Sequence, residues 1–227
     1  INGKPDKSHP SIVDRSSQYN SLFSFLESKY SIDRRTLQLA WFFTTQSDAD
    51  QTSDLRVMQQ DALKRMPAEG PNFYITKTVP NPTEDSSAYI FGQMEVPMYL
   101  NSHQPGGTIV RDPVTQKPVY QGLANFSFEL VVPKAMSAAT GTNQTGFLHI
   151  GHGLFLNLTV AENPTYQKVA NLDNYLIGAV NWLGLCSIDI PWVLDTFAGD
   201  FNNLVSSPDR LKQSEINQEY LTFLFTR

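Results

Sequence analysis

A chain of 227 residues with 41% hydrophobic content can bury one large core, or a core with an appendage, which excludes a wholly disordered polypeptide. Its net charge of −5, with lysines and arginines scattered along the chain, offers no basic surface for nucleic acid. The longest nearly uninterrupted apolar stretch, 175–186, holds 12 residues against the roughly 20 needed to cross a bilayer, so no membrane span is expected.

The N-terminal Ile1-Asn2-Gly3-Lys4-Pro5 has no basic or apolar leader region and no initiating Met, so an upstream segment is expected to have been removed. A helix is predicted over 17–30, where Leu22, Phe23, Leu26 and Tyr30 share one side. The β-formers of 37–45 and of 73–79 predict two strands. Between them Leu55, Met58, Ala62 and Met66 mark a second helix that ends before Pro67. The segment 81–87, with Pro82 and a Glu-Asp-Ser-Ser run, reads as a surface connection. A boundary there makes 1–80 an N-terminal α+β subdomain, resting on a core formed by 81–227 rather than joining its sheet.

From Ala88 the pattern becomes strands separated by long loops, at 89–100 and 126–132, followed by a polar loop at 137–146. The short apolar strand 147–150 runs directly into Gly151-His152-Gly153-Leu154-Phe155. A helix at 164–171 and an apolar strand at 175–182 follow, giving a βαβ unit and therefore a parallel pair within an α/β fold. The last helix has Ser207 as N-cap, Pro208 in its first position and Asp209 at its positive end. Its apolar face is Ile216, Tyr220, Phe223 and Leu224, and the pattern calls for another strand after it.

Gly151-His152-Gly153-Leu154 is the constellation best placed for chemistry. Two glycines after a buried strand let the backbone turn, freeing amide N–H groups above the sheet. Such groups can stabilise the oxyanion of acyl transfer, a contribution of roughly 3 to 4 kcal/mol per donor, and Leu154 N–H is the candidate. The plainer alternative is a tight turn with a hydrogen-bonded histidine. Trp182, Trp192 and Phe197 flank Asp189 and could wall an acyl pocket, although core packing is the stronger default for them. Helix capping accounts for Asp189 as well as catalysis does.

Other sites are weaker. Asp48, Asp50, Thr52 and Asp54 alternate like a calcium loop, but Ser53 and Gln59 stand where glycine and glutamate are required, so capping is expected instead. His9, His103 and His149 lack metal-ligand spacing, and neither metal nor cofactor is expected. The single Cys186 excludes an internal disulfide and reads as a buried structural thiol. Sequons at Asn125, Asn143 and Asn157 occur at about the frequency chance would give.

Taken together, Leu39-Ala-Trp-Phe-Phe-Thr-Thr45, Met58-Gln-Gln-Asp-Ala-Leu63, Val131-Val-Pro-Lys134, Gly151-His-Gly-Leu-Phe155, Asn181-Trp-Leu-Gly-Leu185 with Asp189, and Pro208-Asp-Arg-Leu-Lys-Gln213 make the chain resemble bacterial exported proteins of the α/β-hydrolase class. The resemblance implies a partial α/β-hydrolase sheet and a secreted, periplasmic or cell-surface location. It also implies an oxyanion loop of Gly153 and Leu154 in which His152 is structural, with Phe155, Trp182 and Trp192 at the pocket for a small acyl substrate. The chain departs from the family in having no Gly-x-Ser-x-Gly turn. Both ends are therefore expected to be missing, and a downstream segment of the same precursor is the expected partner that carries the nucleophile. The alternative is a non-catalytic extracellular structural or binding protein that keeps the fold.

Overall fold

The computed structural model describes residues 15–43, 45–138 and 146–226. The chain divides into two units, Ile1–Gln46 and Ser47–Arg227. The first contains helix α1, Ser16–Tyr30, closed by Ser31 at φ 54°, and a 3-10 turn, Arg34–Thr36. The strand expected over 37–45 does not form among the described residues. Strand propensity needs a neighbouring strand to pack on, and here Leu39, Trp41 and Phe43 stay exposed instead. Thr44, the N-terminal residues 1–5, His9 and the Asn143 sequon lie outside the described residues.

The second unit begins with helix α2, Asp48–Arg65, capped by the Ser47 hydroxyl, which accepts the Asp50 N–H at 3.2 Å. Asp48 and Asp50 lie in its first turn, where acids suit the positive end of the helix. Asp54 instead faces Arg111 and Lys212, at 2.7 and 2.8 Å. Met58 and Ala62, two of the residues whose spacing predicts this helix, are fully buried.

A five-stranded mixed sheet follows, β1 (Phe73–Pro80), β2 (Ser86–Pro97), β3 (Leu123–Pro133), β4 (Gly146–His149) and β5 (Tyr175–Val180), in the order β1-β2-β3-β5-β4. Pairs β1·β2, β2·β3 and β3·β5 are antiparallel. A short helix α3, Lys134–Ala138, follows β3; pair β4·β5 is parallel, joined by a 3-10 turn, Leu158–Glu162, and helix α4, Pro164–Asp173. The fold is α/β, and the expected βαβ unit is present.

The boundary at 80/81 is corrected. Strand β1 pairs with β2 from Phe73↔Met94 to Pro80↔Ala88, so the polar run after it is a hairpin turn and not a linker. Asn81, at φ 48°, donates its N–H to Ser87 O at 2.7 Å and closes that turn.

Alternation along β3 separates two cores. Phe126, Phe128 and Leu130 face α2 and the last helix, α6 (Ser206–Thr226, after α5 at Ile190–Ala198), and meet Met58, Val180, Ile216 and Leu221. Val131 faces the opposite side with Tyr89, Ile177, Ala161 and Ala170. Helix α6 does not start at a Ser207 cap. It continues a 3-10 turn, Phe201–Val205, that Asp200 caps, which puts Ser207 inside the helix and buried. Two residues of its expected open face, Ile216 and Tyr220, are already covered, and Tyr220 donates its hydroxyl to Ala62 O at 2.7 Å. Among the described residues no helix is long and apolar enough to cross a membrane.

Candidate functional site

The last ladder bond of the parallel pair runs from Ile150 N–H to Gly178 O, at 2.9 Å, and the chain then leaves the sheet at Gly151. A Cβ here would stand 2.5 Å from Trp182 Nε1, so glycine is required by close approach. At Gly153 the nearest atom to such a Cβ would be Leu156 Cδ1 at 3.7 Å, so that glycine is not forced by packing.

His152 is buried, and both ring nitrogens meet main chain. Trp182 N–H lies 2.8 Å from Nε2 and can only donate, so Nε2 is the acceptor and the proton sits on Nδ1, assigned here from the network. Nδ1–H then donates to Gly153 O at 2.8 Å. The imidazole is thus a strut between the 151–157 loop and the main chain at Trp182, with no free nitrogen for proton transfer.

The strut has a geometric consequence. Gly153 C=O and Leu154 N–H belong to one planar trans peptide and point in opposite directions. Gly153 O also accepts Leu156 N–H at 3.2 Å, which closes the tight turn of the plainer alternative. With the carbonyl held on both, the Leu154 N–H points away from the ring, and among the described residues it donates to no protein acceptor. The next residues are tied down. Phe155, at φ 58°, donates its N–H to Leu185 O at 2.7 Å, Leu156 O accepts Ser187 N–H at 2.8 Å, and Asn181 Oδ1 accepts Leu158 N–H at 2.8 Å.

A cleft of about 410 Å³ lies over this loop, lined by Gly151, His152, Gly153, Leu154, Trp182, Leu185 and Leu211. It therefore gathers Trp182 with the loop residues. Phe155 and Trp192 are not in its lining. Trp192 donates Nε1–H to Ser206 Oγ at 2.8 Å, and its ring packs over Gly106. Leu185 and Leu211 stand within the motifs that carry the resemblance, but the sequence does not assign them to the pocket. Leu211 follows an Arg in a polar stretch of helix, and nothing local marks it.

Asp189 neither caps α5 with its side chain nor enters the cleft. It is buried against Arg210, which approaches it at 2.9 Å with both Nε and Nη2. Its other oxygen accepts Gly184 N–H at 2.7 Å, Cys186 N–H at 3.2 Å and the Cys186 thiol at 3.0 Å. Arg210 also donates Nη1–H to His103 O and Gln104 O. Burial, with the Asp189 carboxylate beside it, pushes the Cys186 thiol up to about 12. Among the described residues no group of three His, Cys, Asp or Glu could hold a metal ion. Comparison of the chain with protein-family models, with curated proteins and with solved structures found no match.

Proposed function

We propose that this chain supplies the oxyanion-binding side of a secreted serine hydrolase of the α/β-hydrolase class, acting on a carboxylic ester or related acyl group. A serine on a second segment attacks the acyl carbon, a histidine held by an acid takes its proton, and Leu154 N–H binds the developing oxyanion. The observation that carries the reading is the Leu154 amide, which has no protein acceptor among the described residues and whose peptide plane is held by the His152 strut beside the cleft. Ligands of open α/β sheets bind at the carboxyl ends of the strands, which is where this loop leaves β4. Trp182, Leu185 and Leu211 offer apolar walls to an acyl chain. Strand β4 is also an edge strand, so a nucleophile-bearing strand has a place to pair beside 147–150.

The test is co-expression with the polypeptide encoded directly downstream, followed by hydrolysis of activated carboxylic esters. Leu154→Pro removes the donor and should lower kcat about 10²- to 10³-fold, whereas Leu154→Ala, which keeps it, should stay near the parent. Thermal melts would separate a folding defect from the loss of the donor. No esterase activity in the completed protein, or equal activity in the two variants, would return the molecule to the scaffold reading.

A further inference from the structure

Glu129 lies in the middle of β3 with no solvent exposure, between Phe91 of β2 and Ala179 of β5. Written as carboxylates, it and its neighbour Glu162 have no donor between them, and neither Glu129 oxygen has a partner. The adjacent amide cannot help. Gln167 Oε1 already accepts from Thr83 and Ser86, and its Nε2 donates to the Tyr89 hydroxyl at 2.7 Å and to Glu162 O at 2.5 Å.

Among the described residues, the cation brought to this face is the exposed Lys77 of β1, which lies over the ring of Phe91 at 5.5 Å and gives neither Glu129 oxygen a partner. Strand β2 contributes Tyr89, the 3-10 turn contributes Glu162, and α4 and β5 contribute the uncharged Gln167 and Ala179. Lys134 of α3 and Lys168 of α4 are exposed. A buried carboxylate in such surroundings is costly, and one proton converts two repelling groups into a hydrogen bond.

We propose that Glu129 and Glu162 share one proton as an acid–carboxylate pair, and that this proton latches the 158–162 turn, and with it the root of the 151–157 loop, onto the sheet. Burial first, and then the Glu162 carboxyl, push Glu129 up to about 9 from the ordinary 4.5 of a glutamate. A folded-state value above the unfolded one means that the stabilisation is complete below about 4.5, declines as pH rises from there, and is gone above about 9. The latch does not depend on the catalytic reading, because it concerns the fold alone.

Infrared titration of the unmodified chain tests it directly. A protonated-carboxyl stretch should be present at pH 7, disappear by about pH 10, and be absent from Glu129→Gln. Hydrogen exchange in 158–162, corrected for its intrinsic pH dependence, should accelerate about tenfold per pH unit as pH rises towards about 9 and level off above it. Absence of the stretch at pH 7, its persistence in Glu129→Gln, or pH-independent protection of 158–162 would overturn the latch. If Glu129→Gln does not fold, the titration and the exchange measurement on the unmodified chain decide alone.

Discussion

On the α6 face of the sheet, Asp189 and Arg210 are both about 1% exposed, and the pair is surrounded by backbone groups that complete it: two amides and a thiol on the acid, two carbonyls on the base. On the α4 face Glu129 is buried just as completely, yet it has only another carboxyl for company. One side keeps its charges and encloses them in donors and acceptors. The other discards a charge by holding a proton. Both satisfy the demand that a buried ion be paired or neutralised, but only the second responds to pH in the alkaline range.

Removing partners should therefore have unequal costs. The largest effect is expected from Arg210→Met, which leaves Asp189 ionised and unpaired in the core and should cost about 3 to 5 kcal/mol in urea unfolding. A loss under 1 kcal/mol would mean that the pair contributes no more than a surface bridge. Glu129→Leu, which deletes carboxyl and proton together, should change stability at pH 7 by about 1 kcal/mol or less, in either direction. A penalty as large as that of Arg210→Met would abolish the contrast between the faces.

The smallest effect is expected at the partly exposed acid Asp54. Arg111, and then Lys212, lower its pKa to about 2 from 3.8, so its contribution is present above about 3.8 and is lost as pH falls towards 2. Asp54→Asn should cost about 1 kcal/mol or less at pH 7 and no more than a few tenths at pH 2, about where Asp54 is half protonated in the fold, as read from chemical unfolding at the two pH values.

The parts legible in the sequence were those set by local period and by glycine. The 147–150 strand, the Gly-His-Gly break and the 175–182 strand give the parallel pair and the loop position, because Gly151 has to admit Trp182. The parts that were hidden depend on distant partners. The 37–43 run has strand composition but no strand to pair with, and β1, exposed on both faces, joins the sheet only through its ladder to β2. In Phe-Ser-Phe-Glu-Leu-Val the glutamate looks like the outward member of an alternation, whereas both faces of β3 are covered. The first half of α6 buries Ser207, Asp209, Arg210, Gln213 and Ser214, so apolar periodicity gives no sign of how deeply that half is set. Of the loop, sequence could nominate Leu154, but the tautomer of His152 needs Trp182, which lies thirty residues away.

The setting of Cys186 has a practical consequence for handling the molecule. A thiol with no exposed surface, donating to a carboxylate and titrating near 12, offers neither access nor thiolate to oxidants, alkylating reagents or another cysteine. The chain can pass between reducing and oxidising surroundings without forming a dimer through sulfur. A dye attached to a cysteine engineered on its surface would report from that position alone, with the native sulfur silent.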